Sequence, residues 1–322
     1  MIGYVVRRVV YSIPVVFAAS VVVFFGISSI GDPLAQLRRS PNVSEATIAS
    51  IVEAKHLDEP LFLQYGYWVR DAVTNAFGTT TFGQPIWPDL SNAALNTLQL
   101  VVAAELIALL IAVPIGVISA RRQYSALDYG LTGLSFLGYS IPVFWFALIL
   151  QVIFTNLYLE SGVRILYTSG LSSIDPGTGL AFFIDRLQHL ALPVAAVAYV
   201  NVAAYSRYMR SEMLEVLSAQ YLQTARAKGV PEKAVMRRHA LRNALIPITT
   251  VVGLNIGLTF GGSIVAETVF SLDGMGLFFI EALNERDVYS VMAFFMITAV
   301  LVLLGNLLAD LTYGYLDPRS RT

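Results

Sequence analysis

An all-α polytopic membrane protein with six transmembrane helices is the fold class this sequence predicts, and three observations predict it. Apolar residues make up 56% of the 322, charged residues only 13%, and the mean hydropathy is +0.65; a soluble domain needs roughly twice that charge. Six long stretches carry almost no charge at all. The short alternating segments of an outer-membrane barrel, about ten residues each, are not seen. The absence of cysteine excludes a disulfide-stapled secreted scaffold, and the apolar content excludes a disordered or collagen-like chain.

The spans fall at about 9–31, 94–120, 129–158, 187–206, 244–266 and 288–312 of one membrane domain covering 1–322. Crossing a hydrocarbon core of roughly 30 Å takes about 20 residues nearly free of charge, because nothing there solvates an ion or an unpaired peptide group. The first span follows Arg7 and Arg8, and its uncharged run is longer than the roughly 7–15 residues of a signal-peptide core, so it reads as an uncleaved anchor. The second contains Glu105 alone, and the third is uncharged despite Pro142.

Segment 32–93 lies on one side of the membrane and includes a helix-like stretch over 44–55, where Ser44 and Glu45 precede a face of Ile48, Ile51 and Val52. Its aromatics Tyr65, Tyr67 and Trp68 suit the membrane interface or an external mouth. Segment 207–243 lies on the other side. A helix is predicted over 211–228, Gly229 supplies a C-terminal stop, and Pro231 sits where the first turn of a new helix tolerates it. That second helix runs into the fifth span, where Pro247 marks an early kink and Gly253, Gly257 and Gly261 recur at four-residue spacing. Small residues at this spacing let two helices approach closely in lipid, within the chain or between subunits.

Lys and Arg set the orientation. The side holding both termini, the 121–128 loop and 207–243 carries 14 basic residues, Arg319 and Arg321 among them, against 5 acidic ones; the opposite side carries 7 against 14. Both termini are therefore expected in the cytoplasm, and 32–93 outside it.

Chemistry is conspicuous by its absence. None of the three lysines, Lys55, Lys228 and Lys233, stands in a G-x-x-x-x-G-K-[ST] frame, so the chain has no P-loop for ATP. His56, His189 and His239 lie in different segments, and without cysteine no zinc or iron-sulfur site is expected. No G-x-S-x-G elbow supports an intramembrane hydrolase. Ionisable groups within spans remain suspects: Glu105 mid-span, Glu267 at the outer end of the fifth span, and Asp310 near the inner end of the sixth. Glu105 needs a partner such as Asn201, Asn255 or Asn306, either as a packing contact or as part of a translocation path. Glu267 and Asp310 can snorkel at little cost. A proton-coupled secondary carrier using these three acids is thus one reading, and a lipid-bound amphipathic linker is one reading of 207–243.

The linker's helix–Gly–Pro–helix break has a more specific counterpart. It resembles the EAA loop of ABC-importer permeases: Gln223, Thr224 and Ala225 stand where that motif begins, followed by Gly229 and by Leu245-Ile246-Pro247. Gln223 replaces the usual Glu, and Gly229 precedes Pro247 by 18 residues where the general motif has 13. The longer spacing, with Thr224–Gly229 and Arg238–Pro247, is similar to the dipeptide/oligopeptide permease (Dpp/Opp) family. Gly31-Asp32-Pro33, Leu57–Leu61 with Gln64-Tyr65, Asn96-Thr97-Leu98, Ser140–Trp145, Glu267–Phe270 with Gly274 and Gly276, and Tyr315–Arg319 extend the likeness in order along the chain.

The resemblance implies a type I importer (MetI-like) permease core in a bacterial cytoplasmic membrane, importing di- or oligopeptides. It also admits nickel or another small solute. It implies a second homologous permease subunit, two cytoplasmic ATPases that hold ATP and Mg, and an extracytoplasmic substrate-binding protein; this chain would bind no cofactor, catalyse nothing, and touch lipid but no nucleic acid. Gln223, Thr224, Ala225, Arg226, Ala227, Lys228 and Gly229 would form the coupling helix, with Arg226, Lys228 and Arg238 pairing with acidic groups on an ATPase.

Overall fold

The computed structural model describes residues 2–29, 33–39 and 43–316. Gly31-Asp32, Asp317–Arg319 and Arg321 lie outside these residues, as does the side chain of Asp310. Among the described residues the regular structure is all helical, apart from one isolated bridge between Thr79 and Pro85, with longer loops at 75–86 and 162–179. Helix α1 (Ile2–Ser28) leads to three short helices, α2 (Ala35–Arg39), α3 (Glu45–Ala54) and α4 (Leu61–Thr74). Next come α5 (Trp87–Arg121), α6 (Ala126–Ser140), α7 (Val143–Ser161) and α8 (Leu180–Ser218). The chain ends with α9 (Gln220–Ala227), α10 (Glu232–Ala234), α11 (Leu241–Gly262), α12 (Ile264–Phe270), α13 (Met275–Asn284) and α14 (Val288–Leu316).

Among the described residues, six stretches are long and apolar enough to cross a membrane: Val6–Ser28, Trp87–Arg121, Val143–Ser161, Leu180–Ser218, Glu232–Gly257 and Val288–Leu307. Their order follows the hydropathy, but three details differ from the sequence expectation. The uncharged run at 129–158 is not one helix. Pro142 pushes Ile141 into extended backbone (φ −87°, ψ 124°), so α6 stops and α7 starts again. Helix α8 is 39 residues long, or about 58 Å at 1.5 Å per residue, and continues as a stalk well past position 206. Helix α11 closes at Gly262, and the path resumes after Ser263 as α12.

The core is the α5–α8 pair. Ala104, Ala108 and Ala112 are fully buried and, with Gly116 and Ala120, place a small residue on one face of α5 at every fourth position. A Cβ at Gly116 would stand 2.5 Å from the Met209 Cβ and 2.9 Å from the Arg210 backbone nitrogen, so the two helices touch backbone to side chain there. In lipid such close packing drives association where hydrophobicity cannot. The same logic applies to the fifth span. Gly253 and Gly257 are buried, and a Cβ at Gly257 would meet Val302 Cγ1 at 3.2 Å. This glycine face is therefore used within the chain, against α14. Helices α6, α7 and α11 also pack on α8, while α1 leans on α14.

Outside the membrane, Ser44 caps α3 by accepting from the Thr47 N–H (3.1 Å). Helix α4 is amphipathic rather than loose: Tyr65 bonds Ser20 on α1 at 2.8 Å, and Trp68 is buried beside Phe24.

Candidate functional site

The Arg-rich end of the bundle projects an elbow. The predicted single helix over 211–228 is two helices, because Ala219 is extended (φ −69°, ψ 139°) and turns the chain between α8 and α9. The far corner is Gly229, in the left-handed region at φ +76°. There the Gly229 N–H reaches the Arg226 carbonyl (2.9 Å) and the Val230 N–H the Ala225 carbonyl (3.2 Å), the paired bonds of a Schellman cap. The carbonyls of Thr224, Ala225 and Arg226 are thus satisfied without any partner molecule. A short π-helical stretch, Val235–Ala240, then leads from α10 into α11.

Leu222 anchors α9. It is fully buried in a cluster with Met209, Met213, Val235 and Ile248, and the partly buried Ala225 packs against the same cluster. Gln223, Thr224, Arg226, Ala227, Lys228, Gly229 and Arg238 are exposed. The Arg226 guanidinium makes a bidentate pair with Glu232 (3.1 and 3.0 Å) across the Gly229 turn, because the cap brings residues six apart face to face. Nothing crowds Gly229 itself, where an added Cβ would meet no atom within 4 Å.

Two polar clusters are buried between helices. Glu105 on α5 is 3% exposed. Asn201 Nδ2 donates to its Oε1 at 2.8 Å, Asn255 Nδ2 to the same oxygen at 3.1 Å, and the Tyr205 hydroxyl to Oε2 at 2.8 Å. Asn255 also donates to the Tyr205 oxygen (2.7 Å) and to Asn201 Oδ1 (3.2 Å). Three helices, α5, α8 and α11, are tied by one carboxylate. The sequence named Asn201 and Asn255; it missed Tyr205, one turn beyond Asn201, and Asn306 takes no part.

Glu267 is 0% exposed, so its side chain does not snorkel out to a polar surface. Thr97 Oγ1 (2.7 Å) and Ser263 Oγ (2.6 Å) donate to Oε1, and the backbone N–H of Gly276 (2.6 Å) donates to Oε2. Thr97 also accepts from the Met275 N–H at 2.8 Å. The glycines of the Gly274-x-Gly276 pair now have a reason. A Cβ at Gly274 would lie 2.5 Å from the Glu267 carboxylate, and one at Gly276 would lie 2.4 Å from the Ile264 Cα. Glu267 and Glu105 share no partner. Thr97 and Glu105 are eight residues apart on α5, about 12 Å of helix, so these are separate closed clusters rather than steps of a relay.

A further site escaped the sequence reading. Asp128, at the start of α6, is 2% exposed and receives Arg210 Nε and Nη2 at 2.7 and 2.8 Å, the Ser119 hydroxyl, and the Tyr124 N–H at 2.9 Å. The Arg210 guanidinium holds its carboxyl well below the usual carboxylate range. Ser125 caps α6 by accepting from the Asp128 N–H, and Ser125-x-x-Asp128 was the signal in the sequence that this turn is built.

The fold and its sites define a multi-pass membrane component with a self-capped elbow; among the described residues no cluster of His, Cys, Asp or Glu could hold a metal ion. Residues 112–322 match the family described as "binding-protein-dependent transport system inner membrane component". The chain is 38% identical to the oligopeptide transport system permease protein AppB of Bacillus subtilis (strain 168), covering 99% of each chain. It is 33% identical to the dipeptide transport system permease protein DppB of Escherichia coli (strain K12), covering 100% of this chain and 99% of that one. A solved chain titled "Crystal structure of an amino acid ABC transporter with histidines" overlays at a TM-score of 0.49 and 15% identity, over 71% of this chain and 94% of that one.

The chain belongs to the family of inner membrane components of binding-protein-dependent transport systems. It is a multi-pass subunit of the bacterial inner membrane, without catalysis of its own, that works with a separate ATPase and a substrate-binding protein.

Proposed function

We propose that this chain is one half of the gate of an ATP-driven importer for short peptides, and that residues 219–232 are where the drive enters. The observation that carries this reading is the elbow: a helix whose carbonyls are capped internally, anchored by Leu222, with Gln223, Thr224, Ala227 and Lys228 turned outward. A surface so finished needs no lipid to complete it, and it fits a protein groove. Ala225, Ala227 and Gly229 let an ATPase seat closely, and Lys228 and Arg238 supply charge for its acidic rim. ATP and Mg belong to two such ATPases on the cytoplasmic side, where the positive-inside rule puts the elbow. When they close, α9 moves with them, and α8, joined to it at Ala219, and α11, joined through α10 and the π-helical stretch, change the side to which the pathway opens.

Peptides are favoured as cargo because the full-length relatives are named for oligopeptide and dipeptide transport. A second, homologous permease chain completes the gate. The buried clusters at Glu105 and Glu267 hold helices together and do not bind cargo. The test is reconstitution with candidate partners in vesicles: uptake of a labelled dipeptide should require ATP, the binding protein and both permeases together. Uphill uptake by this chain alone on a proton gradient would overturn the reading.

A further inference from the structure

The outer cluster has a mechanical consequence. Helix α11 is continuous from the elbow side to Gly262, 22 residues or about 33 Å, and only Ser263 separates it from α12. At that far end Glu267 binds in three directions. It holds α5 through Thr97, the α11–α12 corner through Ser263, and the first turn of α13 through the Gly276 N–H, while Thr97 takes the Met275 N–H. No water reaches the carboxylate, and the two glycines leave no slack around it. Helix α13 cannot lag behind α11 and α12 without stranding a buried carboxylate, which costs several times a single surface contact. Its other end is exposed at Glu281, Leu283 and Glu285, on the side opposite the elbow.

We propose that Glu267, with Thr97, is the pin that makes α13 the outer lip of the gate, moved by the elbow through α11 and bearing on the substrate-binding protein at its exposed end. Glu267 is a positioning residue: it touches neither cargo nor nucleotide. This rests on the importer reading above. The pin explains why an acid with no path to solvent sits between a span and an external helix, and why its neighbours are Gly274 and Gly276. The chain's own hydroxyls and N–H groups already satisfy it, so it has no role left as a proton carrier.

The experiment compares wild type, Glu267→Ala, Glu267→Gln and Thr97→Val in the full transporter in proteoliposomes, normalised to assembled complex. ATP hydrolysis is read with and without binding protein, together with solute imported per ATP. In Glu267→Ala, hydrolysis without binding protein should rise at least threefold and solute per ATP fall at least tenfold. Glu267→Gln, whose amide can face the two hydroxyls while its oxygen keeps the N–H groups, should recover most of the coupling. Thr97→Val, which keeps the side-chain shape and leaves Ser263 and the Gly276 N–H on Glu267, should lie between them and serves as the second variant, read per assembled complex, if Glu267→Ala does not assemble. A merely structural role would lower both hydrolysis rates in proportion and leave their ratio unchanged; that ratio, unchanged in Thr97→Val and in any assembled Glu267→Ala, overturns the pin. If the wild-type complex imports nothing on ATP, the importer reading fails first, and the two failures are thereby told apart.

Discussion

The elbow at 219–232 and the buried cluster at Glu105 are built on opposite principles. At the elbow the N–H groups of Lys228, Gly229 and Val230 all bond back into α9, and most of the side chains are spent outward. At Glu105 the side chains are spent inward, three donors on one carboxylate. The difference separates working parts from fastenings. A docking element must be rigid before its partner arrives, so it caps itself; a charge inside the membrane must be neutralised by its own helices, so it holds them together.

Substitutions at four positions would break or sharpen that contrast, the largest effect first. Arg210→Ala should leave the Asp128 carboxylate buried beside Ser119 with its counter-ion gone, at a cost of about 3–5 kcal/mol, seen as a clear fall in melting temperature in detergent. Its pH dependence has a definite sign. Because the Asp128 carboxyl is depressed in the fold, the pair's contribution is fully present above the ordinary carboxylate value near 4 and is lost only as pH falls below it toward the depressed value. Wild-type minus Arg210→Ala stability should therefore be flat from about pH 5 to 8.

Glu105→Leu should strand the donors of Asn201, Tyr205 and Asn255 and cost about 2–3 kcal/mol, whereas Glu105→Gln, which keeps an acceptor, should cost about half as much. Equal melting temperatures for the two would show that the cluster is not a fastening. Gly229→Val should cost only about 1–2 kcal/mol, because the strain is a left-handed φ at a site with open space around it. Uptake should nevertheless fall more than tenfold. Loss of stability without loss of uptake would strip the elbow of its role. Smallest of all, Glu232→Gln unpairs the exposed Arg226 and should leave the melting temperature unmoved while lowering uptake two- to threefold.

How far the sequence could be read follows the same division. The spans were legible because hydropathy is local and additive. So were the Gly229 turn and the Ser44 cap, since each is set by residues within six positions. The Glu105 partners Asn201 and Asn255 were found by elimination, because polar residues are few in spans, but the tyrosine escaped, having an apolar body that reads as packing. Glu267 was misplaced for a different reason. Its four donors come from 97, 263, 276 and 277, and only a fold that returns α13 against α5 brings them together. The break at Ala219 was also invisible, as alanine is the strongest helix former and only tertiary packing of Leu222 overrides it.

Because the chain has no cysteine, Lys228→Cys would carry its sole thiol, on the exposed face of α9. In the assembled transporter, a short thiol cross-linker at that position should join this chain to the ATPase, with a yield that changes when ATP is added. A position-228 thiol that stays fully reactive to a water-soluble reagent and never joins the ATPase, in a complex that imports solute at the wild-type rate, would contradict the account.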